Sequence, residues 1–161
     1  MKTAVVYFSL DGNCDFVAKE LITLLNADLI RLHTVDEKRR KGLGKFFWGC
    51  KLMMSKKNPP LKPYSFNLAA YDLIILGAPV WAASPAPPIR TFLSETGITG
   101  KKIALFVTHA GKMGKALEEF RVLLAGNEIV AEADFNNPAK NSEEAKRHIA
   151  DWAAVVKQPG V

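Results

Sequence analysis

Thr3-Ala4-Val5-Val6-Tyr7-Phe8-Ser9-Leu10-Asp11-Gly12-Asn13-Cys14 lies at the start of the chain, and its reading decides the fold. Thr3–Phe8 is a short run of β-branched and aromatic residues, suited to a strand. Small and polar residues follow, and an amphipathic stretch from Phe16 to Leu25 comes after them. The sequence therefore reads strand, tight turn, helix. Small and polar residues at such a turn leave backbone N–H groups free to point into it. The helix adds its unpaired first-turn N–H groups and the positive end of its dipole. The expected product is an anion site the size of a phosphate. An ordinary βα turn, with Gly12 supplying a positive φ, is the other reading of the same residues.

Familiar phosphate loops do not fit. The P-loop needs two glycines flanking four residues, then Lys and Ser or Thr; the dinucleotide fingerprint needs three glycines. Gly12 stands alone in this loop. A cysteine phosphatase would place an Arg a few residues after Cys14 to grip a phosphate dianion. Here Asp15-Phe16-Val17-Ala18-Lys19-Glu20 follows. What remains is a loop that holds a monophosphate with Ser9, Asn13 and main-chain N–H groups.

Further along, strand and helix patterns alternate. Strands are expected at Thr3–Phe8, Ala27–Leu32, Tyr71–Leu76, Lys102–Val107 and Glu128–Asp134. Helices are expected at Asn13–Leu25, Pro88–Ser94, Gly114–Ala125 and Ser142–Val156, the last with Ser142 as N-cap. Tyr71–Leu76 is apolar enough for a central strand buried on both faces. Such alternation predicts an α/β domain with a five-stranded parallel sheet and helices on both faces. The chain of 161 residues is expected to form a single domain, with an insert at about 38–63. From Lys38 to Lys57 the insert carries eight Lys or Arg and no acid, while Phe46, Phe47, Trp48, Leu52, Met53 and Met54 recur at roughly helical spacing. A short helix with an apolar face is expected there. Its lysines could stay in water while its aromatics cover the sheet, dock an acidic redox partner, or rest on anionic membrane.

Composition narrows the class. Hydrophobic content of 48% and charged content of 24% suit a soluble globular protein. No apolar run approaches the ~20 residues of a membrane span. Met-Lys-Thr leads directly into a strand, with no signal peptide expected, and two cysteines make no disulfide framework. A cytoplasmic, reduced setting is the expectation. A net charge of +6 favours acidic partners. No nucleic-acid reading module accompanies it, so no nucleic acid is expected as a partner. His33, His109 and His148 show no metal-ligand spacing, and no metal is expected.

In an open parallel sheet, ligands bind beyond the carboxyl ends of the strands. The first strand ends in Ser9–Cys14, the third in Gly77–Pro85 and the fourth in Thr108–Lys112. One edge thus offers a phosphate cradle, an aromatic loop and a small-residue loop. That set suits a phosphorylated, planar, aromatic cofactor.

With these residues in view, the chain resembles the flavodoxin family, particularly its short bacterial flavodoxin-like members. Ser9-Leu10-Asp11-Gly12-Asn13-Cys14 resembles the family's phosphate loop, commonly Thr/Ser-x-Thr-Gly-Asn-Thr. Pro79-Val80-Trp81-Ala82 resembles the loop that lays an aromatic against the isoalloxazine, and Thr108-His109-Ala110-Gly111 the loop beside the ring's pyrimidine end. The resemblance implies strand order 2-1-3-4-5 and one non-covalent FMN. Carried over, Ser9, Gly12, Asn13 and Cys14 would hold the phosphate, with Leu10 and Asp11 shaping the loop. Pro79, Val80, Trp81 and Ala82 would pack along the ring. Thr108, His109, Ala110 and Gly111 would present N–H groups to its polar edge.

Several residues depart from the pattern. Cys14 replaces a hydroxyl with a weaker hydrogen-bonding thiol. Its place at a helix N-terminus would also lower a thiol pKa. Asp11 brings a carboxylate to the loop, and His109 and Ala110 stand where smaller residues and glycine are common. Electron-shuttling members are usually acidic, unlike this chain. Trp81 reads as a stacking residue or a core tryptophan, Trp48 as a cap or an anchor, and Trp152 as core. His109 and Lys112 could stabilise a reduced, anionic flavin or face solvent.

The resemblance implies an electron-transfer protein in which the flavin shuttles electrons between redox partners. The expected partner is a redox protein with an acidic surface. The alternatives are an FMN-dependent NAD(P)H quinone or flavin reductase, and a flavodoxin-like binding module that has lost FMN. A phosphoreceiver is excluded, because the third strand ends in Leu76-Gly77-Ala78-Pro79 rather than in Asp.

Overall fold

The computed structural model of the protein describes residues 1–36 and 58–158. The expected short helix, the roles of Trp48 and Cys50, and docking through Lys38–Lys57 lie outside the described residues.

The described strands are β1 (Thr3–Phe8), β2 (Asp28–Leu32), β3 (Leu73–Trp81), β4 (Ser84–Pro85), β5 (Lys102–His109) and β6 (Glu128–Asn136). The described helices are α1 (Asn13–Leu25), α2 (Pro87–Thr96), α3 (Ala116–Leu123) and α4 (Ser142–Val156), with a 3₁₀ turn at Leu68–Ala70. The sheet runs β2-β1-β3-β5-β6, with every neighbouring pair parallel. It is the expected 2-1-3-4-5 sheet with one addition. The two-residue β4 pairs antiparallel with the end of β3, joining Val80 to Pro85 and Trp81 to Ser84.

Alternation along the strands sends side chains to two cores. Val6, Phe8, Ile74, Leu76, Leu105 and Val107 face α2 and α3, where Ile89, Phe92 and Phe120 are buried. Val5, Tyr7, Leu73, Ile75 and Phe106 face α1 and α4, meeting Val17, Leu21, Ile149 and Trp152. β3, the middle strand, has both faces covered, so its first six residues are all buried. Gly77 stands beside Phe106 in the ladder, and a Cβ on it would lie 2.0 Å from that ring. The missing side chain lets Phe106 cross over β3. Trp152 packs edge-on to Phe106 and Phe135, as a core tryptophan should.

Element ends differ from the sequence reading for identifiable reasons. β3 continues to Trp81 because Pro79 pairs in register with Thr108 and the chain then folds back on itself. A proline needs no N–H when its ladder position does not donate. α3 starts at Ala116 rather than Gly114, because Gly114 has φ +61, outside the right-handed helix. α4 begins with Ser142 itself, and the N-cap is Asn141. Residues 58–63 also belong partly to the fold rather than to the insert. Leu61 bridges Thr34, and Thr91 Oγ1 donates to the Pro59 carbonyl at 2.8 Å.

Candidate functional site

β1, β3 and β5 are adjacent and parallel, so the loops that follow them share one edge of the sheet. The structure therefore gathers the three sequence-predicted segments. Each is held by a different device.

Gly12 enters α1 with φ +87, which spares any side chain a left-handed conformation. Ser9 Oγ accepts from Asp15 N at 3.3 Å, and Phe16 N donates to the Gly12 carbonyl at 3.0 Å. The N–H groups of Asn13 and Cys14 take no acceptor among the described residues. Two donors at a helix N-terminus are thus left for an anion. A Cβ on Gly12 would meet nothing within 4 Å, so the space beside the loop is open. Asn13 Oδ1 accepts from Ala139 N at 3.3 Å, tying the loop to the approach of α4. Asp11 is exposed and Leu10 half-buried.

Cys14 has a different place from the one its alignment with a hydroxyl implies. Its side chain is 1% exposed and its thiol lies 3.1 Å from Thr108 Oγ1. What Cys14 offers the loop is its main-chain N–H. Burial pushes the thiol up to about 12; Thr108 lowers it, while the carboxylates of Asp15 and Asp11 raise it further. Desolvation of a thiolate thus outweighs the helix dipole, and the thiol is held protonated.

At the end of β3, Pro79, Val80 and Trp81 are half-buried strand residues, and Ala82 is exposed at the turn. Trp81 meets Phe8 edge-on, with centroids 5.8 Å apart and planes at 86°. The turn uses Ala82 (φ 48) and Ala83 (φ 64). Two positive φ values across a two-residue loop make a type I′ hairpin, which ordinarily selects Asn and Gly. Ala83 is packed against Gly114, where a Cβ would come within 2.5 Å of Ala83 Cβ. Ser84, 4% exposed, donates to Glu119 and accepts from Arg90, and Arg90 pairs with Glu119 at 3.1 Å. The hairpin is therefore fastened to α2 and α3.

At the end of β5, Thr108 is buried against Cys14, while Ala110 and Gly111 are exposed. His109 Nδ1 lies 2.6 Å from the Gly111 carbonyl, and Nε2 lies 2.9 Å from Asp134 Oδ2. Both partners are acceptors, so each contact is a hydrogen bond when the ring nitrogen facing it donates. His109 is thus a clasp between this loop and β6, rather than a residue facing solvent. Lys112 is exposed.

Sequence reasoning missed the supports beneath these loops. Tyr7 OH donates to Asp15 Oδ1 at 2.8 Å, and Arg31 pairs with the same oxygen at 3.1 Å. Arg31 also donates to the Ser9 carbonyl at 3.4 Å. Burial, then Asp15, raises the Tyr7 phenol, which remains a donor. Nothing local marks Arg31 or Asp134, because their roles depend on strand pairing. No group of three or more His, Cys, Asp or Glu among the described residues could hold a metal.

The Flavodoxin family model matches residues 2–154. The chain belongs to the flavodoxin family. Among solved structures, a Bacteroides uniformis protein described as a flavoprotein is similar, at 22% identity and TM-score 0.81, over 95% of this chain and 97% of that one. A Lactobacillus acidophilus flavoprotein, solved in complex with FMN, is similar at 23% identity and TM-score 0.72, over 88% of this chain and 97% of that one. Megasphaera elsdenii flavodoxin, solved in its two-electron reduced state, is 17% identical with a TM-score of 0.61, over 95% and 99% of the two chains. No curated protein matches the chain. Within the flavodoxin sheet, the three gathered loops lie where strand order reverses between β1 and β3.

Proposed function

We propose that this flavodoxin-family protein binds one FMN and carries electrons between protein partners. The observation that carries the reading is a pair of donors at the start of α1, Asn13 N–H and Cys14 N–H, which take no acceptor among the described residues, beside two further strand-end loops. The donor set fits a phosphate: two main-chain N–H groups, a helix N-terminus and a small-residue turn. Bound FMN would supply one- and two-electron redox chemistry at its ring.

The chain's own residues do the rest. Asn13 and Cys14 hold the phosphate through main-chain N–H groups. Trp81, Val80 and Pro79 provide an apolar wall from the end of β3. The exposed backbone of Ala110 and Gly111 would offer N–H groups to the ring's polar edge, and the His109–Asp134 clasp holds that loop in place. The Cys14–Thr108 contact joins the first and third loops.

A redox protein with an acidic surface fits the net charge of +6 as partner. A cytoplasmic setting is part of the proposal, since Cys14 is a buried free thiol. No helix among the described residues is long and apolar enough to cross a membrane.

The test is a visible absorption spectrum of the purified protein, then titration of the apoprotein with FMN, followed by flavin fluorescence. Flavin bands or quenching support the site. A colourless protein that leaves FMN fluorescence unchanged overturns it. Electron exchange between the loaded protein and a small acidic redox protein should then slow as salt rises. A rate indifferent to salt removes the acidic-partner proposal.

A further inference from the structure

Arg31 occupies the edge strand β2, paired in parallel register with Tyr7 of β1. Its guanidinium makes two contacts. Nη1 lies 3.1 Å from Asp15 Oδ1 in the first turn of α1, and Nη2 donates to the carbonyl of Ser9, where the loop begins. Tyr7 OH donates to the same Asp15 oxygen. Three elements, β1, β2 and α1, thus converge on one carboxylate in the same first turn of α1 that carries the Asn13 and Cys14 N–H groups.

The charges explain why such a support is needed. An acid in the first turn complements the helix dipole. The same acid repels an anion arriving at that helix end, and Asp11 adds a second carboxylate within the loop. An arginine paired with Asp15 balances that carboxylate's charge. Its second arm fixes the Ser9 carbonyl, and with it the direction in which the chain leaves β1. A planar fork with several donors suits this double task, which a point-charge ammonium performs less well.

We propose that Arg31 is the positioning residue of the anion loop, and that it makes the site prefer a phosphorylated flavin to an unphosphorylated one. The proposal rests on the flavin reading above, and its test includes an arm that needs no flavin.

FMN and riboflavin would be titrated against the full chain and three variants: Arg31→Met, Arg31→Lys, and Asp15→Asn combined with Arg31→Met. Arg31→Met should weaken FMN about tenfold, the scale of one unbalanced carboxylate acting on the phosphate through space, and leave riboflavin unchanged. Arg31→Lys should fall between. The double variant should recover part of the loss, because the uncompensated carboxylate is gone. It also keeps the test alive if Arg31→Met alone folds poorly. Without any flavin, inorganic phosphate should raise the Tm of the natural protein more than that of Arg31→Met or the double variant. Equal losses for FMN and riboflavin, or an unchanged ratio between them, would overturn the proposal. So would equal stabilisation of all variants by phosphate. If the natural protein bound neither flavin, the FMN reading would fail, and the phosphate comparison would still decide the role of Arg31.

Discussion

The loop after β1 and the hairpin after β3 stand side by side on the sheet edge, yet they are held by opposite means. The first relaxes into a conformation its residues favour: Gly12 takes the positive φ, Ser9 accepts from a helix N–H, and the Arg31 side chain and the Ala139 main chain tie it down. The second imposes positive φ on two alanines and keeps them there by packing against Gly114 and by the Ser84–Arg90–Glu119 linkage. The difference teaches that a strand-end loop can be specified by its own residues or by its surroundings. In the second case the surroundings bear the conformational cost.

The largest test of that contrast is Gly114→Ala. The new Cβ would approach Ala83 Cβ to 2.5 Å from a residue at φ +61. Overpacking and the positive φ together should destabilise the protein by about 2–4 kcal/mol in urea unfolding. A loss under half of that would mean the hairpin is not clamped there. Trp81→Ala comes next: FMN affinity should drop by about 1–3 kcal/mol if the indole forms part of the ring's wall. An unchanged Kd in a folded variant would remove Trp81 from the ring's wall.

On the side of the first loop, the probe is pH. The folded-state pKa of Cys14 is raised from 9.0 to about 12. Between those values the unfolded chain releases a proton that the folded chain keeps, so stability is full below pH 9 and falls as pH rises towards 12. The slope from this one group is at most about 1.4 kcal/mol per pH unit. Unfolding midpoints of the natural protein and Cys14→Ala, compared across that window, should converge as pH rises. Parallel curves would show that the thiol does not titrate on unfolding. The smallest effect is Ala82→Asn. Asparagine tolerates φ 48 better than alanine, and the substitution should add about 0.5 kcal/mol of stability. No gain would mean that packing has already removed the strain.

Much of the fold was legible from one-dimensional patterns. The apolar runs marked all five parallel strands, and the spacing of Phe16–Leu25 marked α1. The ends were less legible. Leu76 looked like the close of a strand, but β3 runs on past Pro79, because a proline's missing N–H matters only where the ladder needs a donor. Gly114 looked like a helix start, although only its packing against Ala83 reveals why it lies outside the helix. Among candidate site residues, Cys14 is the clearest lesson. A helix N-terminus predicts an acidic thiol, and desolvation by burial reverses the sign although the Thr108 hydrogen bond acts the other way.

The sequence by itself determined the alternation of strand and helix, the small-residue turn at Ser9–Asn13, and the three segments that end at the ligand edge. Those properties depend on local hydrophobic period and turn chemistry, which are written residue by residue. The tertiary structure decided what holds these segments in place. Arg31 reaches Asp15 and Ser9, His109 reaches Asp134, and Gly114 makes room for Ala83. Each of those pairs is brought together by strand order and helix packing, and the physics of burial and charge acts only once they meet.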